Sequence, residues 1–200
     1  MNLVAHPDKK RRWQIVGTAG CILFGIALIA NIHPIGDGLW FWYAALLRGG
    51  HLLYADMHVP LQPLFVLLTA WMQELLGNGW LASKGLALVQ LIAYCVGLLL
   101  VSGYIRWKDW QKSILIVAVF AMTMGNPFFR FDDYHITGYC FEVYSIYLLL
   151  RLADEVRPLR RLLVIAVLGV LSGLSLSNRL NDGAALFVAC GFVLPFFVRR

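Results

Sequence analysis

The chain has 200 residues, of which 60% are hydrophobic, and its mean hydropathy is +0.71. Soluble domains are closer to half apolar, and the excess here lies in long runs, so the composition excludes an ordinary soluble domain and predicts an all-α polytopic membrane protein. The net charge of +6 comes from short basic clusters between those runs, which indicates topology signals and contacts with anionic lipid rather than with nucleic acid. The four cysteines form no CxxC pair, so neither a disulfide framework nor a zinc site is expected.

The apolar runs occur one after another along the chain. The first, residues 13–32, follows a basic cluster and is about 20 residues long, enough to cross about 30 Å of hydrocarbon, so we expect a retained first span. An amphipathic stretch at residues 39–47 comes next. The remaining apolar runs are residues 61–76, 85–105, 113–124, 138–150, 162–177 and 184–198. Two of these, 113–124 and 138–150, are short for a span and are expected to extend into their flanks, to tilt or to be shielded by neighbours.

The run at residues 61–76 decides the topology. If it lies on the membrane surface, nearly all Lys and Arg residues fall on one side, which the positive-inside rule makes cytoplasmic. The exceptions are Arg48, Lys84, Arg130 and Arg179. If the run crosses, most of the 17 Lys and Arg residues move outside. We therefore predict one membrane domain with six spans and both termini cytoplasmic, and two surface helices in a long outer loop at residues 33–83.

The first outer loop carries an ordered set of features. Residues 36–76 read GDGLWFWYAALLRGGHLLYADMHVPLQPLFVLLTAWMQELL. Asp37 follows the first span, an amphipathic helix ends in Arg-Gly-Gly, a Tyr54-Ala-Asp56 step comes next, and a Pro-x-x-Pro-Leu segment leads into a second helix. This order resembles the first outer loop of the GT-C glycosyltransferases, in the branch of the protein O-mannosyltransferases and the lipid-A aminoarabinose transferases.

Later features resemble the same family. The second outer loop, residues 125–137, reads GNPFFRFDDYHIT, and its acidic pair precedes a helix rich in aromatic residues and Leu. The fifth span is rich in Gly and Leu and ends at Arg179, where the family more often has Lys. The resemblance covers nearly the whole chain. GT-C enzymes are usually much longer, so on this resemblance the chain corresponds to the N-terminal part of such an enzyme, and a fragment, a truncated reading frame and a minimal member are all open.

The resemblance implies transfer of a sugar from a polyprenyl-phosphate donor to an acceptor hydroxyl of a lipid or glycan, at the outer face of the cytoplasmic (inner) membrane. It puts Asp37 in the position of the general base, although Asp before an apolar helix is also a favoured N-cap. Asp132 and Asp133 are further catalytic candidates. They could position the acceptor, bind a divalent cation or form a solvated loop pair. No resident cofactor or metal is assigned.

Six further residues are candidates for substrate binding: Tyr54, Asp56, Arg130, His135, Glu142 and Arg179. Arginine suits bidentate contact with phosphate, although Arg179 could instead pair with Asp182, three residues further on. A carboxylate inside a span, such as Glu142, is costly and usually faces a polar cavity, so a functional role and a structural hydrogen bond are both open. The aromatic residues at 40, 42 and 43 are expected to form an interfacial belt, with sugar stacking as a minor alternative.

Two other functions compete with glycosyl transfer. A transporter or flippase-like protein would have paired ionisable groups near the bilayer midplane and helices built from repeats, and only Glu142 lies in mid-span. A truncated or non-catalytic membrane subunit would suit the short length.

Overall fold

The computed structural model of the protein describes residues 38–57, 59, 63–77, 79–125 and 134–198. These residues lie within one compact unit, Ile35–Arg200. They form seven helices and no strand. The helices are α1 (Gly38–Arg48), α2 (Pro63–Leu76), α3 (Trp80–Tyr104), α4 (Asp109–Gly125), α5 (Tyr134–Asp154), α6 (Pro158–Asn178) and α7 (Leu180–Val198). The predicted first span, residues 13–32, lies outside the described residues.

The described residues confirm the all-α class, and a helix coincides with each apolar run from residue 39 onward. Three described helices are long and apolar enough to cross a membrane: Leu81–Tyr104 within α3, all of α5 and all of α6. The apolar segments Pro63–Leu76 and Leu180–Pro195 are shorter. Helix α5 begins and ends four residues beyond the predicted run at 138–150, so this span extends into its flanks.

Helices α3 and α5 run in the same direction. Gln90 Nε2, close to the middle of α3, donates a 2.6 Å hydrogen bond to Thr137 Oγ1 near the beginning of α5. At their ends, the Tyr104 hydroxyl donates to the Asp154 carboxylate. Since both helices start at one end of the bundle and finish at the other, the segment between them must return to the starting end. Helix α4 lies in that segment, and its 17 residues would cover about 25 Å.

Close contact between α3 and α5 depends on a glycine. A Cβ on Gly97 would lie 2.7 Å from Val143 Cγ1, so the missing side chain lets Val143 sit against the backbone of α3. One turn away, the Tyr144 hydroxyl donates a 3.0 Å hydrogen bond to the Ala93 carbonyl. Small residues and polar bonds are how helices associate in lipid, because apolar surface there gains little by leaving a hydrocarbon solvent.

Helices α5, α6 and α7 alternate in direction. The end of α6 meets the beginning of α5, where Asn178 Nδ2 donates a 2.7 Å hydrogen bond to the Tyr134 carbonyl. Only Arg179, in an extended conformation, separates α6 from α7. The two helices therefore leave the turn almost in contact, and Gly183 lies against the α6 backbone at Leu176.

This turn predicts a sharp difference between two glycines of α7. A Cβ on Gly183 would lie 2.2 Å from the Leu176 nitrogen, whereas a Cβ on Gly191 would meet nothing within 4 Å. We expect Gly183→Ala to lower the free energy of unfolding by about 2 kcal/mol or more, because backbone has to move apart. Gly191→Ala should be neutral or slightly stabilising, since alanine is the better helix former. Unfolding in mixed micelles measures both; equal effects would contradict the close packing of α6 on α7.

Helix α1 ends in a Schellman motif. The His51 N–H donates to the Leu46 carbonyl and the Gly50 N–H to the Leu47 carbonyl, both at 3.1 Å. Gly50 has a φ of 92°, the left-handed conformation that this motif requires and that glycine adopts without cost.

Helix α3 ends in the same motif with a different residue at the left-handed position. The Trp107 N–H donates to the Ser102 carbonyl at 2.8 Å, and the Arg106 N–H donates to the Gly103 carbonyl at 3.1 Å. Arg106 has a φ of 61°, where its Cβ crowds the following backbone.

The two caps predict that substitution of the left-handed residue changes the free energy of unfolding in opposite directions. Arg106→Gly should raise the free energy of unfolding by about 1 kcal/mol, because it relieves the left-handed strain, and Gly50→Ala should lower it by about the same amount. Chemical unfolding of each purified variant in detergent measures the change. Loss of stability in Arg106→Gly would show that the arginine side chain makes a contact worth more than the strain.

Helices α1 and α2 form a separate layer at the end where α3 and α5 begin. Their shared core is made of buried apolar residues: Tyr43, Ala44, Met57, Val59, Val66 and Ala70. Gln73 Nε2 donates a 3.0 Å hydrogen bond to the Phe41 carbonyl, and Arg48 Nε lies 2.8 Å from Glu74 Oε2. Helix α2 also packs on α3, where Gly85 leaves room for Leu76. With its 14 residues α2 covers only about 21 Å, less than the hydrocarbon thickness.

Candidate functional site

The beginning of α5 is the meeting point of four helices. The ring of Tyr134 lies edge-on to Trp40 of α1, with 5.9 Å between centroids, and to Phe65 of α2, with 6.2 Å between centroids. The end of α6 reaches the same residue through Asn178. Edge-to-face aromatic pairs at such distances are favourable beyond the area they bury. The side chain of Tyr134 therefore connects the layer formed by α1 and α2 to the beginning of α5.

Arg179 brings a positive charge to this point. Its guanidinium carbon lies 5.9 Å from the centroid of the Tyr134 ring, within the range of a cation–π interaction. Its Nη1 lies 2.9 Å from Asp182 Oδ2, which confirms the pairing that the spacing of three residues had left open. About a third of the Arg179 side chain stays accessible, with a relative exposure of 34%. The ion pair holds the guanidinium in place while leaving part of it open to a ligand.

Asn178 is the most enclosed polar residue of the cluster. Its relative exposure is 0%, and its Nδ2 lies 3.5 Å from where a Cβ on Gly138 would stand. Asp182 Oδ2 lies 3.6 Å from the same position, so the absence of a side chain at 138 makes room for both polar groups. Within the described part of the chain Asn178 Oδ1 has no hydrogen-bond partner. A buried acceptor of this kind is normally satisfied by water or a ligand.

Two further predicted site residues belong to the same cluster. His135 follows Tyr134, and the two ring centroids are 4.1 Å apart. Glu142 is half-buried one helical turn beyond Gly138, near enough to Asp182 and Arg179 for their charges to act on it. The structure thus brings Arg179 and His135 together at the beginning of α5, where Asp182 pairs with the guanidinium, and Glu142 lies about two turns further along the same helix.

Tyr54 and Asp56 have a different setting, in the connection between α1 and α2. The Asp56 carboxylate accepts a 2.7 Å hydrogen bond from the Leu52 N–H, and the Asp56 N–H donates back to the Leu52 carbonyl. This pair closes the turn in which Tyr54 takes a φ of 67°. Partial burial raises the pKa of the Tyr54 hydroxyl above its ordinary value. Asp56 thus has a structural role besides any role with substrate.

Four of the predicted site residues lie outside the described residues: Asp37, Arg130, Asp132 and Asp133. Asp37 directly precedes α1, and Asp133 directly precedes Tyr134. Among the described residues, no group of three or more His, Cys, Asp or Glu is arranged to hold a metal ion.

No family model, curated protein or solved structure matches the chain.

The cluster predicts that one asparagine of the α6–α7 turn is structural. Asn178→Ala removes a buried donor to the Tyr134 carbonyl and should lower the free energy of unfolding by about 1–2 kcal/mol. Asn181→Ala, three residues away and exposed, should change it by less than about 0.5 kcal/mol. Unfolding of both variants in micelles measures the difference. An unchanged Asn178→Ala protein would mean that the amide does not fasten α6 to α5.

Proposed function

We propose that the protein is a GT-C-like glycosyltransferase that moves a sugar from a polyprenyl-phosphate donor to an acceptor hydroxyl at the outer face of the cytoplasmic membrane. In this proposal residues 13–32 and helices α3 to α7 make six spans. Helices α1 and α2 lie on the outer surface of the membrane.

The directions of the helices support this topology. The parallel course of α3 and α5 requires the chain between them to return, and α5, α6 and α7 alternate in direction. As a result the turns at residues 105–108 and 155–157, with their flanking arginines, share one end of the bundle, and the cluster around Tyr134 occupies the other. The positive-inside rule makes the end with the basic turns cytoplasmic and the Tyr134 end external.

The contact between Trp40 and Tyr134 is the observation on which the proposal mainly rests. Asp37 lies three residues before Trp40, so its Cα is within about 11 Å of the Trp40 Cα even in a fully extended chain. Asp133 is the immediate neighbour of Tyr134. The contact therefore limits how far apart the two carboxylates can be, although they are almost one hundred positions apart in sequence. The same Tyr134 ring lies under the Arg179 guanidinium.

These groups suit glycosyl transfer from a phosphate. The acceptor oxygen forms a bond to the anomeric carbon as the bond from that carbon to the phosphate oxygen breaks, and the hydroxyl proton passes to a carboxylate. Asp37 is the proposed base, and Asp133 or Asp132 would orient the acceptor. Negative charge grows on the departing phosphate, where the accessible part of Arg179 would stabilise it. The phosphate is already a good leaving group, so a strong general acid is not required.

The outer layer also suits a lipid-linked donor. Two of the exposed apolar side chains of α1 and α2 are tryptophans. The exposed residues are Leu39, Trp42, Leu67, Trp71, Leu75 and Leu76. Tryptophan prefers the level of the lipid headgroups, so this face would lie in the membrane interface, where a polyprenyl chain arrives. Trp40 and Tyr43 turn inward instead, against Tyr134 and into the α1–α2 core, so Trp42 is the residue of the expected aromatic belt that remains exposed.

A transporter is supported less well by the same geometry. It would place paired ionisable groups within the spans, whereas the Arg179–Asp182 pair lies at the turn between α6 and α7.

Activity in proteoliposomes tests the proposal. The protein, reconstituted with polyprenyl-phosphate sugars and an acceptor extract, should release polyprenyl phosphate. Asp37→Asn should lower that rate by about 100-fold or more, because the base is lost while the shape is kept. Asp109→Asn, a carboxylate at the beginning of α4, is the matched control and should keep the wild-type rate. Full activity of Asp37→Asn would refute the assigned base, and absence of donor turnover by the wild-type protein would refute the function.

A further inference from the structure

The end of the bundle opposite Tyr134 carries a basic surface. Two segments, residues 104–112 and 151–161, meet there through the hydrogen bond from Tyr104 to Asp154. Together they contain seven basic and three acidic residues, a net charge of +4. The basic residues are Arg106, Lys108, Lys112, Arg151, Arg157, Arg160 and Arg161, and the acidic residues are Asp109, Asp154 and Glu155.

Each acidic residue of this surface already has a local partner. Asp109 lies 3.5 Å from Lys112 Nζ, Asp154 accepts from Tyr104, and Glu155 accepts a 3.1 Å hydrogen bond from the Arg157 N–H. In the described part of the chain no carboxylate pairs with the Arg157 or Arg160 side chains, and both residues are exposed. The charges of Arg157 and Arg160 are therefore not neutralised by carboxylates among the described residues.

Three of the arginines lie at the beginning of α6, where a positive charge destabilises a helix. Arg157 precedes α6, Pro158 begins it, and Arg160 and Arg161 lie in its first turn, which contains no acidic residue. The positive end of the helix dipole repels cations at these positions. An anion bound next to these arginines would offset that repulsion.

Apolar side chains alternate with the arginines. Val156 is 88% exposed, and Leu159, Leu162 and Leu163 are exposed on the first two turns of α6. Because α6 is long and apolar enough to cross a membrane, these side chains would face hydrocarbon directly beneath the arginines. The guanidinium groups would then lie at the depth of the lipid phosphates, which they can contact bidentately.

We propose that this basic surface is a binding site for the phosphates of anionic phospholipids, with Arg157 and Arg160 as its main contacts. The site does not depend on the glycosyltransferase proposal, because it lies at the other end of the bundle and uses none of the residues assigned to sugar transfer.

Lipid binding by the purified protein tests this site. Native mass spectrometry of the protein in a neutral detergent, titrated with phosphatidylglycerol or phosphatidylcholine, counts the bound lipids. We expect phosphatidylglycerol to bind preferentially, with a preference that falls as ionic strength rises. The double substitution Arg157→Gln with Arg160→Gln should weaken phosphatidylglycerol binding on the order of tenfold, since each basic residue near an anionic surface contributes several-fold.

Two comparisons keep the result interpretable. Arg48→Gln with Lys84→Gln removes the same charge near the opposite end and should leave phosphatidylglycerol binding within about twofold of wild type. Arg157→Lys with Arg160→Lys keeps the charge and should retain most of the binding, even if the glutamine variant proves unstable. Equal binding of both lipids by the wild-type protein would overturn the proposal, as would an equal loss in the variant at the opposite end.

Discussion

The packing of α1 and α2 against the beginning of α5 is the interaction on which the rest of the structure depends. Tyr134 makes it with one side chain, through edge contacts to Trp40 and Phe65, and its carbonyl accepts the Asn178 amide. Without these contacts the layer of α1 and α2 would be held to the bundle mainly through its packing on α3. Arg179 would lose its cation–π partner and keep only the ion pair with Asp182.

Packing inside the bundle follows from the solvent. Lipid tails are as apolar as leucine, so hydrophobic burial gives helices little reason to associate, and close backbone approach and polar bonds take over. Gly97 admits Val143, and Gly183 admits the α6 backbone at Leu176. The hydrogen bond from Gln90 to Thr137 fixes the alignment of α3 on α5, because an amide N–H group without a partner in hydrocarbon would be costly. These contacts fix α3, α5, α6 and α7 relative to one another, and with them the separation of the two ends.

The sequence was sufficient for the helices and for local pairings, and insufficient for contacts between distant segments. Apolar runs predicted the described helices, because a long run has few alternatives to helix in a membrane. The pairing of Arg179 with Asp182 could be foreseen from helical spacing alone. Tyr134 could not, since its partners at Trp40 and Phe65 lie far away in the chain and aromatic residues occur throughout. Asp56 was expected only as a substrate contact, because the turn that it closes at Leu52 depends on backbone conformation that composition does not reveal.

The two ends of the bundle differ for a single topological reason. Because α3 and α5 are parallel and α6 returns, both turns rich in arginine come to one end, and the acidic segments before α1 and α5 are linked to the other. Parallel α3 and α5 also require the chain between them to run back along the bundle, and α4 lies in that part of the chain. The direction of these two helices therefore determines both the position of the proposed reaction site and the position of the proposed lipid site.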